Sequence, residues 1–426
     1  MWGNPDARLP HVPAFDFAKG NARKLLSLPL YALGICASAV VPRRHGRWVF
    51  GSGPGIGEGA LELYRYVSAR HPELSLTWLA RDDADAAAAA ALGVPAVTKS
   101  SPRGLLRTLR AQVVVLTHGF GDVNRYGTRG SFVVQLWHGV PLKLIQLDSP
   151  ATMTIGIPGA WRLRGLLRKF YRRGFRAIRM MPAASELVAT RLRTAFALGD
   201  QVVVTGDPRD DVLARTSASA ARATVLGILS VPDSPEDTDD ARRLVLLAPT
   251  WRDGEADPGA PAAADWQRIA DWLERADATL LVRPHPLSVS DYAAGASASP
   301  RVRMLGPDLR ADITPLLPAF DLLITDYSSI AFDFSLTGGA LFFLAPDEEA
   351  YTTSRGLYEP YRLFSGGRAV RTWTALLAQL DRFDSDPDWA KRVLDHSAAL
   401  ASTHFAYRDG GNTARVYAEI TKELGD

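Results

Sequence analysis

Residues 321–334 read DLLITDYSSIAFDF. Leu322, Leu323 and Ile324 form a short apolar run of the kind that ends inside a parallel sheet. Thr325, Asp326, Tyr327, Ser328 and Ser329 make a polar turn, and Ile330, Ala331, Phe332 and Phe334 open an apolar helical pattern. Strand, tight turn and helix start leave free backbone N–H groups and a positive helix end at the strand's carboxyl edge, where anions bind. Ser328 and Ser329 add hydroxyl donors. The turn reads as the seat of a phosphate or diphosphate. An ordinary helix cap is the plainer reading, since Asp and Ser are favoured N-caps; the neighbouring strand ends decide for the anion.

Moving outward, the same pattern recurs. Strands are expected at 47–50, 74–80, 94–98, 113–117, 132–136 and 201–205, then at 243–247, 279–282, 301–304, 322–324 and 340–344. Helical stretches separate them, so the chain predicts an α/β fold of two facing Rossmann-like domains. The expected division is an N-terminal segment 1–45, a first domain 46–215, a crossing 216–240 and a second domain 241–426 that includes the terminal helices. Ligands bind at the carboxyl ends of such strands, which makes the cleft between the domains the expected site.

A hydrophobic content of 47% supports full cores, and a net charge of +3 is too mild to mark a nucleic-acid binder. The lone Cys36 excludes an internal disulfide framework and a cysteine metal site. Residues 25–41 carry no charge and have basic flanks, Arg23-Lys24 and Arg43-Arg44. The stretch is short for a membrane span and is broken by Pro29 and Gly34. It reads either as a segment lying on an anionic membrane face or as a helix packed on the body. Residues 160–179 hold eight basic residues and no acid: Arg162, Arg164, Arg168, Lys169, Arg172, Arg173, Arg176 and Arg179. Leu and Phe interleave them, which suits anionic lipid or a polyanionic chain.

The expected strand ends carry His118, His138, Arg209, Thr250, Arg252, Arg283, His285, Asp326, Ser328 and Ser329. Arginine forks and hydroxyls suit phosphate oxygens, and histidine suits proton transfer near neutral pH. Asp333 lies one helical turn past the serines and could face a ribose hydroxyl. Asp83 and Asp85 have the spacing of a metal-nucleotide motif but sit in an alanine-rich helix, and read as a surface pair. The loop 51–59 contains Gly55-x-Gly57-x-x-Ala60, a relaxed dinucleotide fingerprint with Asp82 and Asp83 near the ribose-binding distance. A nicotinamide or flavin enzyme is therefore a rival reading.

Leu136-Trp137-His138-Gly139-Val140-Pro141-Leu142-Lys143 resembles the WHG-x-P-x-K motif of the CDP-glycerol glycerophosphotransferases, the primases and polymerases of wall teichoic acid. Gly206-Asp207-Pro208-Arg209-Asp210-Asp211 resembles their G-x-P-R-N-D motif, with Asp210 in place of the usual Asn. Pro249 to Arg252, Arg283-Pro284-His285-Pro286 and Thr325 to Ser329 match in order, and Arg355 to Tyr358 and Asp409-Gly410 resemble weaker features. The resemblance implies a glycosyltransferase-B-like fold and transfer of a polyol phosphate from CDP-glycerol or CDP-ribitol, releasing CMP. It implies His138 and His285 as the catalytic pair. Arg209, Thr250, Arg252, Arg283, Asp326, Ser328, Ser329, Asp333 and Lys143 would hold the donor. Arg162, Arg164, Arg168, Lys169, Arg172 and Arg173 would meet a lipid-linked polyanionic acceptor at the cytoplasmic membrane face. The arrangement requires no cofactor, with a divalent metal left open. A nucleotide-sugar glycosyltransferase or epimerase shares the same plan, and a non-catalytic membrane-surface adaptor would use the basic stretch alone.

Overall fold

The computed structural model describes residues 27–150, 152, 164–229, 242–252, 255–285, 288 and 290–425. Two wholly parallel sheets organise it. The first has seven strands: β1 (Arg44–Phe50), β2 (Ser75–Ala80), β3 (Ala96–Thr98), β4 (Ala111–Leu116), β5 (Phe132–Gln135), β6 (Ile178–Ala183) and β7 (Val202–Val204), in the order 3-2-1-4-5-6-7. The second has five: β8 (Arg243–Ala248), β9 (Ala278–Val282), β10 (Val302–Met304), β11 (Leu322–Thr325) and β12 (Ala340–Phe343), in the order 10-9-8-11-12. Each order reverses beside its first strand, at β1/β4 and at β8/β11. That switch point opens a crevice at the carboxyl edge.

The strands are near-continuous apolar runs because helices cover both faces. β11 and β12 are buried at every position. Each fully buried Val, Leu or Phe contributes roughly 1.5–3 kcal/mol relative to exposure. One core cluster runs through both domains, joining Val114 and Val133 of the first sheet to Leu246 and Leu323 of the second.

Three features depart from the sequence reading, and a fourth concerns a segment it left open. β6 follows directly on the basic stretch, where Arg179 and Pro182 hide a strand pattern. The last helix, Asn412–Leu424, returns to the first domain, burying Val416 and Ile420 against Trp48 and Phe50. Asp85 is no surface residue: it is buried, and its carboxylate accepts the N–H groups of Ile56 (2.6 Å) and Arg81 (2.8 Å), tying down the glycine-rich loop. The helix Leu28–Val40, for which the sequence left an interfacial or a packed position open, meets the body through Tyr31 and the buried Gly34. Tyr31 touches Tyr126 edge-on at 5.1 Å, while Leu30, Leu33, Ile35 and Val40 stand 45–79% exposed. Among the described residues no helix is long and apolar enough to cross a membrane.

Candidate active site

β5 ends at Gln135, and the chain then turns sharply. Trp137 takes φ +65° and Gly139 φ +116°. A bulky residue in the left-handed region is strained, and the surroundings must hold it there. The buried Trp137 ring packs against Phe196 at 5.2 Å, and Arg209 donates to the His138 carbonyl. A side chain at Gly139 would collide with Arg209 Nη1 at 2.5 Å. The turn thereby presents His138 at the edge of the sheet.

The His138 ring stacks flat on His118, with centroids 4.0 Å apart and planes 2° from parallel. His118 is fixed by its own loop, where Asp122 Oδ2 accepts the N–H groups of Thr117, His118 and Gly119 at 3.0, 2.7 and 3.1 Å. A polar chain runs on from the ring: His118 Nδ1 to Thr117 Oγ1 (2.8 Å), Thr117 Oγ1 to Ser52 Oγ (2.9 Å), Ser52 Oγ to Glu58 Oε2 (2.9 Å). Ser52 donates to the carboxylate and Thr117 donates to Ser52. By that assignment His118 donates from Nδ1 and keeps a lone pair on Nε2. Burial, reinforced by the stacked His118 ring and the charges of Arg209 and Lys143, holds the His138 pKa well below the ordinary histidine value. Its Nδ1 is buried and has no hydrogen-bond partner. A neutral imidazole with an unfilled acceptor can take a proton.

His285 lies across the cleft, after β9. It stacks on Trp251 at 5.4 Å, and Arg355 covers the same indole at 5.7 Å. Desolvation of its ring, then the charges of Lys143 and Arg283, lower its pKa as well, although part of the side chain faces solvent. The charge of Lys143 acts on both rings, one in each domain.

The arginines read from sequence as phosphate forks are committed elsewhere. Arg252 bonds Asp347 (2.8 and 3.1 Å), Asp326 (3.0 Å) and the Thr250 carbonyl (2.5 Å), and lies over Tyr327 and Tyr351. Arg283 donates to the carbonyls of Leu305, Arg310 and Ala311, bracing that loop. Arg209 Nη2 meets Asp333 at 3.0 Å and Thr314 at 2.9 Å, so the presumed phosphate and ribose contacts are partners in one ion pair between the domains. Asp326 is a buried acceptor for the N–H groups of Thr250 (2.9 Å) and Tyr327 (2.6 Å), not a ligand contact. The reason is general: a buried guanidinium without several acceptors is too costly to keep. Ser328 and Ser329 remain partly exposed, and Ser329 makes no side-chain cap bond. The Thr250 hydroxyl is buried and unpartnered.

Sequence reading gave the motif from Arg355 to Tyr358 no task. It clips the domains together. Leu144 N–H donates to the Gly356 carbonyl (3.1 Å), Tyr358 N–H to the Leu142 carbonyl (2.9 Å), and Lys143 bridges Leu357. Gly356 sits at φ +69°, where a Cβ would strike Leu144. A buried group behind the clip was missed altogether: Arg191 bonds the Pro141 carbonyl at 2.8 Å, and Glu359 lies 3.4 Å from Arg191 and 3.3 Å from His404. Glu58 and Gln135 were missed too. Each looks like ordinary helix or strand punctuation until the fold gathers it. Among the described residues no group of three or more His, Cys, Asp or Glu could hold a metal ion.

Of the expected acceptor residues, Arg168, Lys169, Arg172 and Arg173 are exposed on the helix Arg164–Phe175, which docks through Leu167, Tyr171 and Phe175. Arg162 and the Arg164 side chain lie outside the described residues.

Two Rossmann-ordered domains with histidines and hydroxyls on facing carboxyl edges define the two-domain transferase plan of the glycosyltransferase-B type. The chain belongs to the CDP-glycerol:poly(glycerophosphate) glycerophosphotransferase family, whose model matches residues 37–422. It is 27% identical over 291 residues to the teichoic acid ribitol-phosphate polymerase TarK of Staphylococcus aureus, covering 68% of this chain and 52% of the relative. It is 26% identical over 340 residues to the teichoic acid glycerol-phosphate transferase of the same organism, covering 77% and 81%. The chain thus spans about half the length of TarK and most of the transferase. In fold it is similar to the wall teichoic acid polymerase TagF, with a TM-score of 0.72, 18% identity and coverage of 96% and 97%. A UDP-N-acetylglucosamine 2-epimerase is similar at a TM-score of 0.55 and 16% identity, covering 89% and 95%.

Proposed function

We propose that the protein transfers a polyol phosphate, glycerol phosphate first, from a CDP-linked donor to a hydroxyl of a membrane-linked teichoic-acid-like or capsular acceptor at the cytoplasmic membrane face. What supports this is the family match over residues 37–422 together with a motif histidine just past a strand end in each domain, His138 after β5 and His285 after β9. The acceptor oxygen attacks the phosphorus distal to cytidine. Its proton passes to His138, the new P–O bond forms, and the bond to the CMP oxygen breaks, with CMP taking the electron pair. His285, uncharged at neutral pH, donates a hydrogen bond to the phosphoryl oxygens as charge moves toward CMP. The hydroxyls of Ser328, Ser329 and Thr250, together with Lys143, hold the diphosphate; Arg209, Arg252 and Arg283 shape the pocket from behind. Such transfer depends chiefly on positioning and charge stabilisation.

The test is a donor panel of CDP-glycerol, CDP-ribitol and UDP-sugars, with mass spectrometry of the product. CMP with one added polyol phosphate per step supports the reading, and UDP release overturns it. The reaction is taken to need no bound metal, so exhaustive EDTA dialysis should leave CMP release unchanged.

A further inference from the structure

The transfer step leaves the glycine-dense loop 51–59 without a task. Gly53 has to be small: a Cβ there would lie 2.9 Å from Cγ of His118. The loop therefore lies directly against the imidazole that stacks on His138. Near its end stands Glu58, the first residue of the helix Glu58–Arg70, at φ +53°. An acidic residue in a first helical turn is ordinary, because it meets the positive end of the helix. A left-handed backbone at a residue other than glycine is not ordinary, and such residues gather at functional sites.

The Glu58 carboxylate reaches back along the loop. It accepts the Ser52 hydroxyl at 2.9 Å and stands 3.6 Å from His118 Nδ1. Ser52 and Thr117, which lie between Glu58 and the ring, are both buried, so water does not compete for their hydroxyls. An ionised carboxylate only accepts. It thereby sets the direction of each hydrogen bond from Ser52 through Thr117 to the His118 ring.

The backbone of Glu58 is held from the other domain. Its N–H donates to Asp312 Oδ2 at 3.3 Å. Asp312 Oδ1 accepts the N–H of Thr314 at 2.9 Å, and the Thr314 hydroxyl accepts from Arg209, the residue that donates to the His138 carbonyl. Residues 312–314 thus touch the supports of both stacked rings. Arg283, two residues before His285, braces the same loop through the carbonyls of Arg310 and Ala311.

We propose that Glu58 is a positioning residue for His138. Its carboxylate fixes His118 as the Nδ1–H tautomer through Ser52 and Thr117, and the flat His118 ring holds His138 in place. The contact of its backbone with Asp312 makes that setting depend on the second domain. The loop 305–314 then links the motif that carries His285 to the support of the histidine stack in the first domain. The proposal rests on the transferase reading, in which His138 takes the acceptor's proton.

Ring-nitrogen NMR of the full chain, labelled at histidine, reads the tautomer without any substrate, and His118→Gln assigns the signals. In alkaline buffer His118 should carry its proton on Nδ1. Glu58→Gly suits the left-handed backbone, so the fold is kept. It should shift His118 toward the Nε2–H form and lower kcat for CMP release about tenfold or more, with the donor KM unchanged. Glu58→Gln keeps an acceptor for Ser52 and should recover the Nδ1–H form and most of the rate. Asp312→Ala should give a mixture of tautomers and a smaller loss of kcat than Glu58→Gly. The proposal is overturned by an Nε2–H tautomer in the parent, by a tautomer unmoved in Glu58→Gly or in Asp312→Ala, or by a Glu58→Gln variant as slow as Glu58→Gly. If the tautomers behave as expected while the parent yields no CMP from CDP-glycerol, the positioning stands and the transferase reading falls.

Discussion

The carboxyl edges of the two sheets both carry polar motif residues, yet the fold treats them differently. On the first sheet, His138 rides on a strained turn with an unfilled Nδ1 and stacks on a second histidine. On the second sheet, the charged groups are saturated: Arg252 by carboxylates and a carbonyl, Arg283 by carbonyls, Asp326 by backbone N–H groups. One edge keeps reactive atoms open, and the other uses its charges to hold a shape. A motif arginine at a strand end is therefore not automatically a ligand contact; the number of acceptors already around it decides.

The sharpest way to break this contrast is His138→Ala, expected to lower kcat for CMP release by about 10²–10⁴-fold with an unchanged thermal midpoint. Near-normal turnover would falsify the base assignment. Next comes Arg252→Ala, which strands Asp326 and Asp347. Breaking a buried pair costs ~3–5 kcal/mol, so it should appear as a large loss of stability in denaturant titration. A stable variant with only a raised donor KM would instead make Arg252 a phosphate contact.

Removing both hydroxyls in Ser328→Ala/Ser329→Ala should raise the donor KM about tenfold or more, since hydrogen bonds to charged groups are worth roughly 1.5–3 kcal/mol each, with stability intact. His118→Ala should lower kcat about tenfold and shift the acid limb of the pH–rate profile to higher pH. It removes the stacked ring that depresses the His138 pKa and opens the His138 ring to water. An unmoved limb would reduce His118 to packing.

The smallest effect is on stability against pH. His285 falls to about 4 from an ordinary 6.5, and His138 falls too. Between those values the unfolded chain binds more protons, so stability should rise with pH across the window and level off above it. His285→Ala should flatten part of that rise in urea midpoints measured from pH 4 to 7.

Much of this was legible in the chain. Short apolar runs ending in polar turns gave every strand but β6, because a strand covered on both faces must be apolar throughout. His138 and His285 stood out by the motifs that carry them, and the structure places each just past a strand end, after β5 and β9. What failed were pairings. Arg209 and Asp333 are far apart in sequence and each looked like a ligand contact; only packing of the Pro208–Asp210 turn against the helix Ile330–Ser335 joins them. Asp85 looked solvated because alanine surrounds it, and one of its partner N–H groups, that of Ile56, lies on another loop. The clip at Gly356 showed only as a weak motif without a task, and the triad of Arg191, Glu359 and His404 left no local signal.

Periodicity and turn chemistry are local, so the sequence alone determined the element types, the two-domain plan and the ends where chemistry gathers. Whether a given charge would face a ligand or another part of the chain depends on the desolvation and acceptors that distant segments bring. That was decided only when the two domains closed on each other.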